Sequence, residues 1–193
     1  MCIAMIARRS LVLLPVTAAL AMAAGCAIAG PAAERWPRFE RADASSTRAV
    51  DYAPWAQFLA TYLVVGEDGI NRIAYGRVTA SDKAALGAFI ADLAATRVSG
   101  LNRGEQRAYW TNLYNALTVR VVLEHYPVKS IRDISLGFLA FGPWSKTLVE
   151  VEGEAISLDD IEHRILRPIW HDPRTHYGVN CASLGCPNLA ARP

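Results

Sequence analysis

The sequence predicts an α+β fold, with a helix-rich N-terminal half, a buried central helix and then a small antiparallel sheet. Two observations support this prediction. Apolar residues recur at helical spacing in three successive stretches before Tyr126. Further along, the runs Lys146 to Val151 and Glu154 to Leu158 flank Glu152-Gly153, a pattern typical of a hairpin. Helices and strands therefore fall in different parts of the chain.

The first two helices are predicted from their apolar positions and their boundaries. One helix contains Trp55, Phe58, Leu59 and Tyr62, and it is expected to end at the glycine-containing stretch 65–70. Residues 73–78 have the composition of a short strand. Ser81 is expected to cap the second helix. The apolar stripe of that helix consists of Leu86, Phe89, Ile90 and Leu93.

The third helix is predicted to be the central one. Asn102 and Glu105 have the spacing of a capping box at its start. One apolar face consists of Trp110, Leu113, Tyr114, Leu117 and Val121. The opposite face carries the amides of Asn112 and Asn115 among Val119, Val122 and Leu123. Since both faces are largely apolar, we expect this helix to be covered on both sides, with the two amides inside.

The last elements are predicted to be one more helix and one strand. Ser157 is expected to cap a helix that runs through Leu166 and stops before Pro168, because the residue before a proline disfavours helical geometry. Residues 174–181 have the pattern of a strand. The two-residue period of a strand would place His176 and Cys181 on opposite sides.

The N-terminus has the features of an export signal over residues 1–29. Arg8 and Arg9 precede an apolar run, Leu11 to Ala24, that is too short for a membrane span. Cleavage before Cys26, which would make it a lipidation site, is favoured over cleavage after Ala29. We expect an exported protein, in the periplasm or anchored to the outer membrane as a lipoprotein. Residues 30–52, rich in Ala, Ser, Arg and Pro, are predicted to form a tether.

The charge balance argues against nucleic-acid binding. The chain has 20 basic and 18 acidic residues, and its predicted leader contains two of the basic residues and no acidic one. The mature chain would thus have 18 of each and a net charge of zero. The partner is instead expected to be a small-molecule or peptide substrate, bound without a cofactor. The remaining residues, 53–193, are enough for one domain.

The most reactive segment contains His176, Cys181 and Cys186. One interpretation makes a cysteine the nucleophile and His176 the base that activates it. The other pairs the two cysteines in a disulfide, which an oxidising compartment favours. Ligand spacings typical of a metal site are missing among the histidines and cysteines, so no metal is predicted.

Glu162 is the acidic residue with the most informative position. Its neighbours Leu158, Ile165 and Leu166 mark the apolar face of the predicted helix, so its carboxylate is expected to be buried and paired. Candidate partners are His176, Arg174, Tyr114 and the amides of Asn112 and Asn115. A structural hydrogen-bonding role is favoured over a role as catalytic acid or base, because buried networks also shift pKa values.

Three motifs, at residues 109–115, 158–168 and 176–189, resemble the family catalogued as domain of unknown function 547. The resemblance extends from Trp55 to Leu189 and implies an α+β domain with one site near the central helix. The catalytic candidates at that site are Glu162, His176, Cys181 and Cys186. The binding candidates are Asn112, Tyr114, Asn115 and Asn180. The family's domain normally continues with further helices, so we expect residues 53–193 to be incomplete at the C-terminus.

A buried helix followed by a strand with a histidine is also similar to papain and transglutaminase architecture. Those enzymes carry the nucleophilic cysteine at the start of the central helix, whereas no cysteine occurs here between Cys26 and Cys181. Two hypotheses remain. The first is a thiol- or histidine-dependent hydrolase or transferase of the cell envelope, and the second is a non-catalytic binding module with a structural disulfide. Free thiols would favour the first and a disulfide the second.

Overall fold

The computed structural model describes residues 34–134, 142–183 and 185–193. The predicted export signal and its candidate lipidation residue, Cys26, lie outside the described residues. Within these ranges, no helix is both long and apolar enough to cross a membrane.

The structure confirms the α+β class, with helices and two antiparallel hairpins. The longer helices are α1 (Ala53–Tyr62), α2 (Ala80–Ala95) and α3 (Arg103–His125). A π-helical segment, Asp160–Leu166, continues directly into α4 (Arg167–Trp170), and α5 (Thr175–Gly178) follows. The strands are β1 (Leu63–Val65), β2 (Asn71–Ile73), β3 (Val149–Val151) and β4 (Glu154–Ile156). Short 3₁₀ helices occur at Pro37–Glu40, Tyr75–Arg77, Val98–Gly100 and Ile131–Asp133.

Helix α3 forms the centre of the domain, as predicted. It packs against α2 and the π-helical segment, and both its apolar residues and the amides of Asn112 and Asn115 are buried. The Asn102 side chain accepts a hydrogen bond from the Glu105 backbone N–H at 2.9 Å, which confirms the cap. The Glu105 carboxylate bonds elsewhere, to the Val50 N–H at 3.0 Å and the Tyr52 hydroxyl at 3.1 Å. It therefore connects the helix to the segment that precedes α1.

The two hairpins correspond only in part to the sequence prediction. Strands β3 and β4 pair as predicted, and Glu152 and Gly153 have φ values of 49° and 80°. Two positive φ values are what a tight two-residue hairpin turn requires. The strand predicted at 73–78 is wrong in its position, because β2 ends at Ile73 and pairs with β1. Residues Tyr75–Arg77 form a 3₁₀ turn instead.

The helix caps show where local chemistry was sufficient for prediction. Ser157 caps as predicted, since its hydroxyl accepts from Asp160 N–H at 3.1 Å and the Asp160 carboxylate accepts from Ser157 N–H at 2.9 Å. For α2 the prediction was wrong by two residues. Thr79, not Ser81, accepts the capping bond from Asp82 N–H, at 3.1 Å.

The helix predicted to stop before Pro168 instead continues through it to Trp170. Proline lacks the N–H that would bond to the carbonyl of Arg164, four residues earlier. That carbonyl accepts a hydrogen bond from Trp36 N–H at 3.1 Å. The preceding segment also has the wider π register, in which Arg167 N–H bonds to the Glu162 carbonyl. Pro168 is thus tolerated because Trp36 donates the hydrogen bond that the proline cannot supply to the Arg164 carbonyl.

The described part of the predicted tether packs against the domain, which corrects that prediction. Phe39 is only 2% exposed, and its ring meets the Trp110 ring edge-on at 5.0 Å. The Arg164 guanidinium lies 4.0 Å from the centre of the Trp36 ring. Aromatic residues that bury this much apolar surface fix a segment firmly.

The strand predicted at 174–181 is also wrong, because residues Thr175–Gly178 form α5. The Asp172 carboxylate accepts a hydrogen bond from Arg174 N–H at 2.9 Å, and the Asp172 carbonyl accepts one from Thr175 N–H at 3.0 Å. Side-chain bonds of this kind start a turn. The geometric objection to pairing His176 with Cys181, which assumed a strand, therefore no longer applies.

Candidate functional site

Asn115 fixes the reactive segment onto the central helix. Its side-chain N–H donates to the Gly178 carbonyl at 2.9 Å, and its side-chain oxygen accepts from Asn180 N–H at 2.9 Å. One buried amide thus pairs with the backbone on both sides of Val179, as a neighbouring strand would. Asn115 acts here on the protein's own backbone.

Cys181 and Cys186 form a disulfide, with their Cα atoms 6.2 Å apart. This confirms the disulfide interpretation of the pair. Asn180 stabilises the same loop, because its side chain accepts from Ala182 N–H at 2.9 Å and donates to the Pro187 carbonyl at 2.7 Å. While the bond is present, neither sulfur is a thiolate, and neither can act as a nucleophile.

Two further asparagines connect the end of this segment to the first hairpin. The Asn188 side chain accepts from Asn71 N–H at 3.0 Å and donates to the Gly69 carbonyl at 2.8 Å. The Asn71 side chain donates to the Leu189 carbonyl at 2.8 Å. Sequence analysis did not predict these contacts, since they join residues more than a hundred positions apart. A cavity of about 390 Å³ lies beside them, and its lining includes Asn115, Asn180 and Cys186.

A second cavity, of about 600 Å³, contains the other catalytic candidates. Glu162 reaches it from the π-helical segment and His176 from α5. We call it the Glu162–His176 cavity. Its remaining lining residues are Arg167, His171, Asp172, Pro173 and Thr175.

Glu162 is half-buried and accepts a hydrogen bond from the Tyr114 hydroxyl at 3.4 Å. The expected partner on the central helix is therefore confirmed, whereas the predicted full burial is wrong. That prediction assumed that side chains follow α-helical periodicity. In the π register the angle between successive side chains differs, so they do not point where α-helical spacing would place them. Burial, together with the charge of Glu162, raises the pKa of Tyr114 far above its usual value. Tyr114 thus remains protonated and acts as the donor.

Asp172 is surrounded by two arginines that sequence analysis did not connect to it. Its carboxylate contacts the guanidinium of Arg174 at 2.8 Å and that of Arg107, on α3, at 2.9 Å. The hydrogen bonds from Arg174, and then that from Arg107, hold the pKa of Asp172 well below its usual range. Asp172 is therefore ionised, and its charge is already compensated.

Two histidines near the cavity, His163 and His171, accept hydrogen bonds from arginines. Arg167 lies 3.0 Å from Nδ1 of His163, and Arg35 lies 3.3 Å from Nε2 of His171. Since a guanidinium can only donate, each of these ring nitrogens must be the acceptor. The proton of His163 then lies on Nε2, which is 4.0 Å from the Asp159 carboxylate. Among the described residues, no group of three His, Cys, Asp or Glu side chains could hold a metal ion.

Comparison with known proteins places this region in context. Residues 98–191 match the model of a family described as "Protein of unknown function, DUF547". The chain resembles DUF547 proteins. Neither the curated proteins nor the solved structures include a significant match to it.

The DUF547 match includes α3, the π-helical segment and the disulfide loop, and thus every catalytic and binding candidate. Within it, the structure divides the candidates between two cavities. Glu162 and His176 line one, and Asn115, Asn180 and Cys186 line the other. Asn112 bonds locally, to the Ala108 carbonyl at 2.9 Å, as buried helix amides commonly do. Tyr114 contributes through its bond to Glu162.

Proposed function

We propose that this protein is a binding module of the cell envelope that takes up a small organic acid in the Glu162–His176 cavity. The observation that supports this most is the environment of Arg167. Its guanidinium lines the cavity and bonds to His163, and no carboxylate of the described residues forms an ion pair with it. A carboxylate is the natural partner for a guanidinium, which offers two parallel donors.

The charges around the cavity favour an anionic ligand. Asp172 faces two arginines, so its negative charge is more than compensated. The remaining acidic group, Glu162, has a free capacity to accept hydrogen bonds besides the one from Tyr114. The best-fitting ligand therefore carries a carboxylate for Arg167 and a hydroxyl or amino group for Glu162. A volume of about 600 Å³ is suitable for such a molecule.

The disulfide supports the binding role over thiol catalysis. A bonded Cys181–Cys186 pair has no thiolate to attack a substrate. Disulfides also persist in oxidising compartments, which agrees with the proposed export and with lipid anchoring at Cys26. In this account the cysteines shape the loop, and recognition belongs to the charged side chains.

The binding proposal is tested by calorimetric titration of the full chain with a panel of hydroxy and amino acids. Arg167→Gln should weaken the tightest ligand by about tenfold to a hundredfold, because a hydrogen bond to a charged group contributes about 1.5–3 kcal/mol. Arg132→Gln removes the same charge from an exposed residue outside both cavities and should leave affinity unchanged. Equal affinity of wild type and Arg167→Gln would contradict the proposal.

A histidine-dependent hydrolase or transferase is the second candidate. It is favoured by one observation, that Glu162 and His176 line the same cavity, with Tyr114 holding the carboxylate. His176 would act as general base toward water or an acceptor hydroxyl. Ester and amide turnover measured without reductant tests this candidate. Activity that is lost in His176→Gln, and retained when both cysteines are changed to serine, would support it over binding alone.

A further inference from the structure

We propose a second binding site, specific for a phosphate group, on the surface formed by residues 38–41 and the loop after α2. Arg38, Arg41 and Arg97 line one cavity of about 440 Å³, together with Ser99 and Glu152. We call this the arginine site. It shares no lining residue with the Glu162–His176 cavity.

The arginine site has more positive than negative charge. Arg38 is 3.5 Å from the Glu154 carboxylate, so its charge is partly compensated. Among the described residues, Arg41 and Arg97 have no carboxylate partner within ion-pair distance. The acidic lining residue, Glu152, already accepts hydrogen bonds from the N–H and the hydroxyl of Ser99, at 2.9 and 2.8 Å. Two guanidinium groups are thus left for an anion.

A buried side chain holds the two halves of the arginine site together. Gln106, on α3, is only 1% exposed, and its amide donates to the Arg41 carbonyl at 2.7 Å and to the Val98 carbonyl at 2.9 Å. Arg41 and Val98 belong to segments more than fifty residues apart, and Arg97 directly precedes Val98. The backbones that carry the two arginines are therefore fixed beside each other before any ligand binds. Preorganisation of this kind lowers the cost of binding.

Phosphate is the anion that best fits a cavity lined by Arg38, Arg41 and Arg97. Its oxygens accept bidentate hydrogen bonds from more than one guanidinium, and a phosphate monoester carries up to two negative charges. Bringing like charges together is unfavourable without a counter-charge, and a multiply charged anion relieves that repulsion better than a single carboxylate does. The ligand is therefore either a soluble phosphate ester or the phosphate of a lipid headgroup.

The position of the site in the chain makes a lipid source accessible. Arg38 follows the proposed lipidation residue, Cys26, by 12 residues. A segment of that length spans at most about 40 Å when extended. If Cys26 is anchored, the arginine site lies within reach of headgroup phosphates.

The experiment uses the full chain in micelles of dodecyl maltoside, a detergent without phosphate, and follows the Nε–H resonances of arginine by NMR. One arm adds glycerol 1-phosphate in solution, and the other mixes phosphatidylglycerol into the micelles. At least one arm should shift the resonances of Arg41 and Arg97. A response to the soluble ester indicates a soluble ligand, and a response to phosphatidylglycerol alone indicates a headgroup.

Two charge-matched variants make the result specific. Arg41→Gln/Arg97→Gln should weaken binding by about 25-fold, because each arginine near an anionic surface contributes about fivefold in affinity. Arg77→Gln/Arg132→Gln removes the same charge from exposed positions outside the site and should change affinity little. The proposal is overturned if neither probe shifts the two resonances, or if both variants lose affinity equally. All four residues are exposed, so the variants should fold, which circular dichroism checks.

Discussion

At the scale of single residues, the buried amide of Asn115 positions the segment that contains His176, Cys181 and Cys186. The sequence predicted that Asn112 and Asn115 would lie inside the fold, since they occur on an apolar helix face. It could not distinguish their roles, because the partners of Asn115 lie 63 and 65 residues away. Local spacing predicts burial, whereas a partner so far along the chain is set by tertiary packing.

Asn115→Ala should therefore destabilise the protein by about 1–3 kcal/mol, because it leaves the Gly178 carbonyl and the Asn180 N–H without their partner. Asn112→Ala is the matched control and should cost less, since its bond goes to a carbonyl on its own helix. Urea unfolding measures both. Equal losses would show that Asn115 has no special role in holding the reactive segment.

Asp172 gives the domain a predictable dependence on pH. Its pKa is lowered in the folded state, so its contribution is complete above the ordinary value of about 3.9 and is lost as the pH falls toward the folded value. Asp172→Asn should thus lower the melting temperature at pH 7, and the gap to wild type should narrow below about pH 4. A gap that stays constant down to pH 3 contradicts this account. Glu67→Gln, in an exposed loop, is the control.

At the scale of elements, the sequence predicted those with strong local signals. The Ser157 and Asn102 caps, α3 and the β3–β4 hairpin all follow from short-range chemistry. The π-helical segment and α5 did not, because each depends on contacts outside itself. Pro168 directly follows the π-helical segment, and Trp36 N–H satisfies the Arg164 carbonyl that the proline leaves without a donor. The Asp172 carboxylate, which starts the turn before α5, is also bound by Arg107.

The corrected cap of α2 gives a prediction at this scale. Thr79→Ala should cost about 1 kcal/mol, because it removes the oxygen that satisfies Asp82 N–H. Ser81→Ala should cost clearly less, since Ser81 does not supply that bond. Chemical denaturation of the two variants decides between the residues. A larger loss for Ser81→Ala would restore the original assignment.

At the scale of the whole molecule, the domain begins earlier than its composition indicated. Residues 34–52 resemble a linker in their content of Ala, Ser, Arg and Pro, yet Trp36 and Phe39 pack against distant elements. Two aromatic residues in a polar stretch produce no periodic pattern, and so no sequence signal. The sequence also did not predict that the candidate residues line two separate cavities. The resemblance implied that these residues lie near one another, but it gave no distances between them.

Phe39→Ala should destabilise the domain by about 3–5 kcal/mol, as expected when a large aromatic side chain is removed from a core. A residue in a free tether would contribute almost nothing. Val65→Ala, at a position 67% exposed, is the control and should change stability little. Thermal or urea unfolding of the two variants gives the comparison. A negligible effect of Phe39→Ala would return this segment to the role of linker.

The central claim for the whole molecule is that recognition belongs to charged side chains, while Cys181 and Cys186 hold the loop in shape. Alkylation of the purified full chain without reductant, followed by peptide mass spectrometry, tests this claim most directly. The account predicts a peptide cross-linked through Cys181 and Cys186 and no alkylated cysteine at either position. A free, rapidly alkylated thiol at Cys181 or Cys186 would contradict it and make thiol catalysis the better explanation.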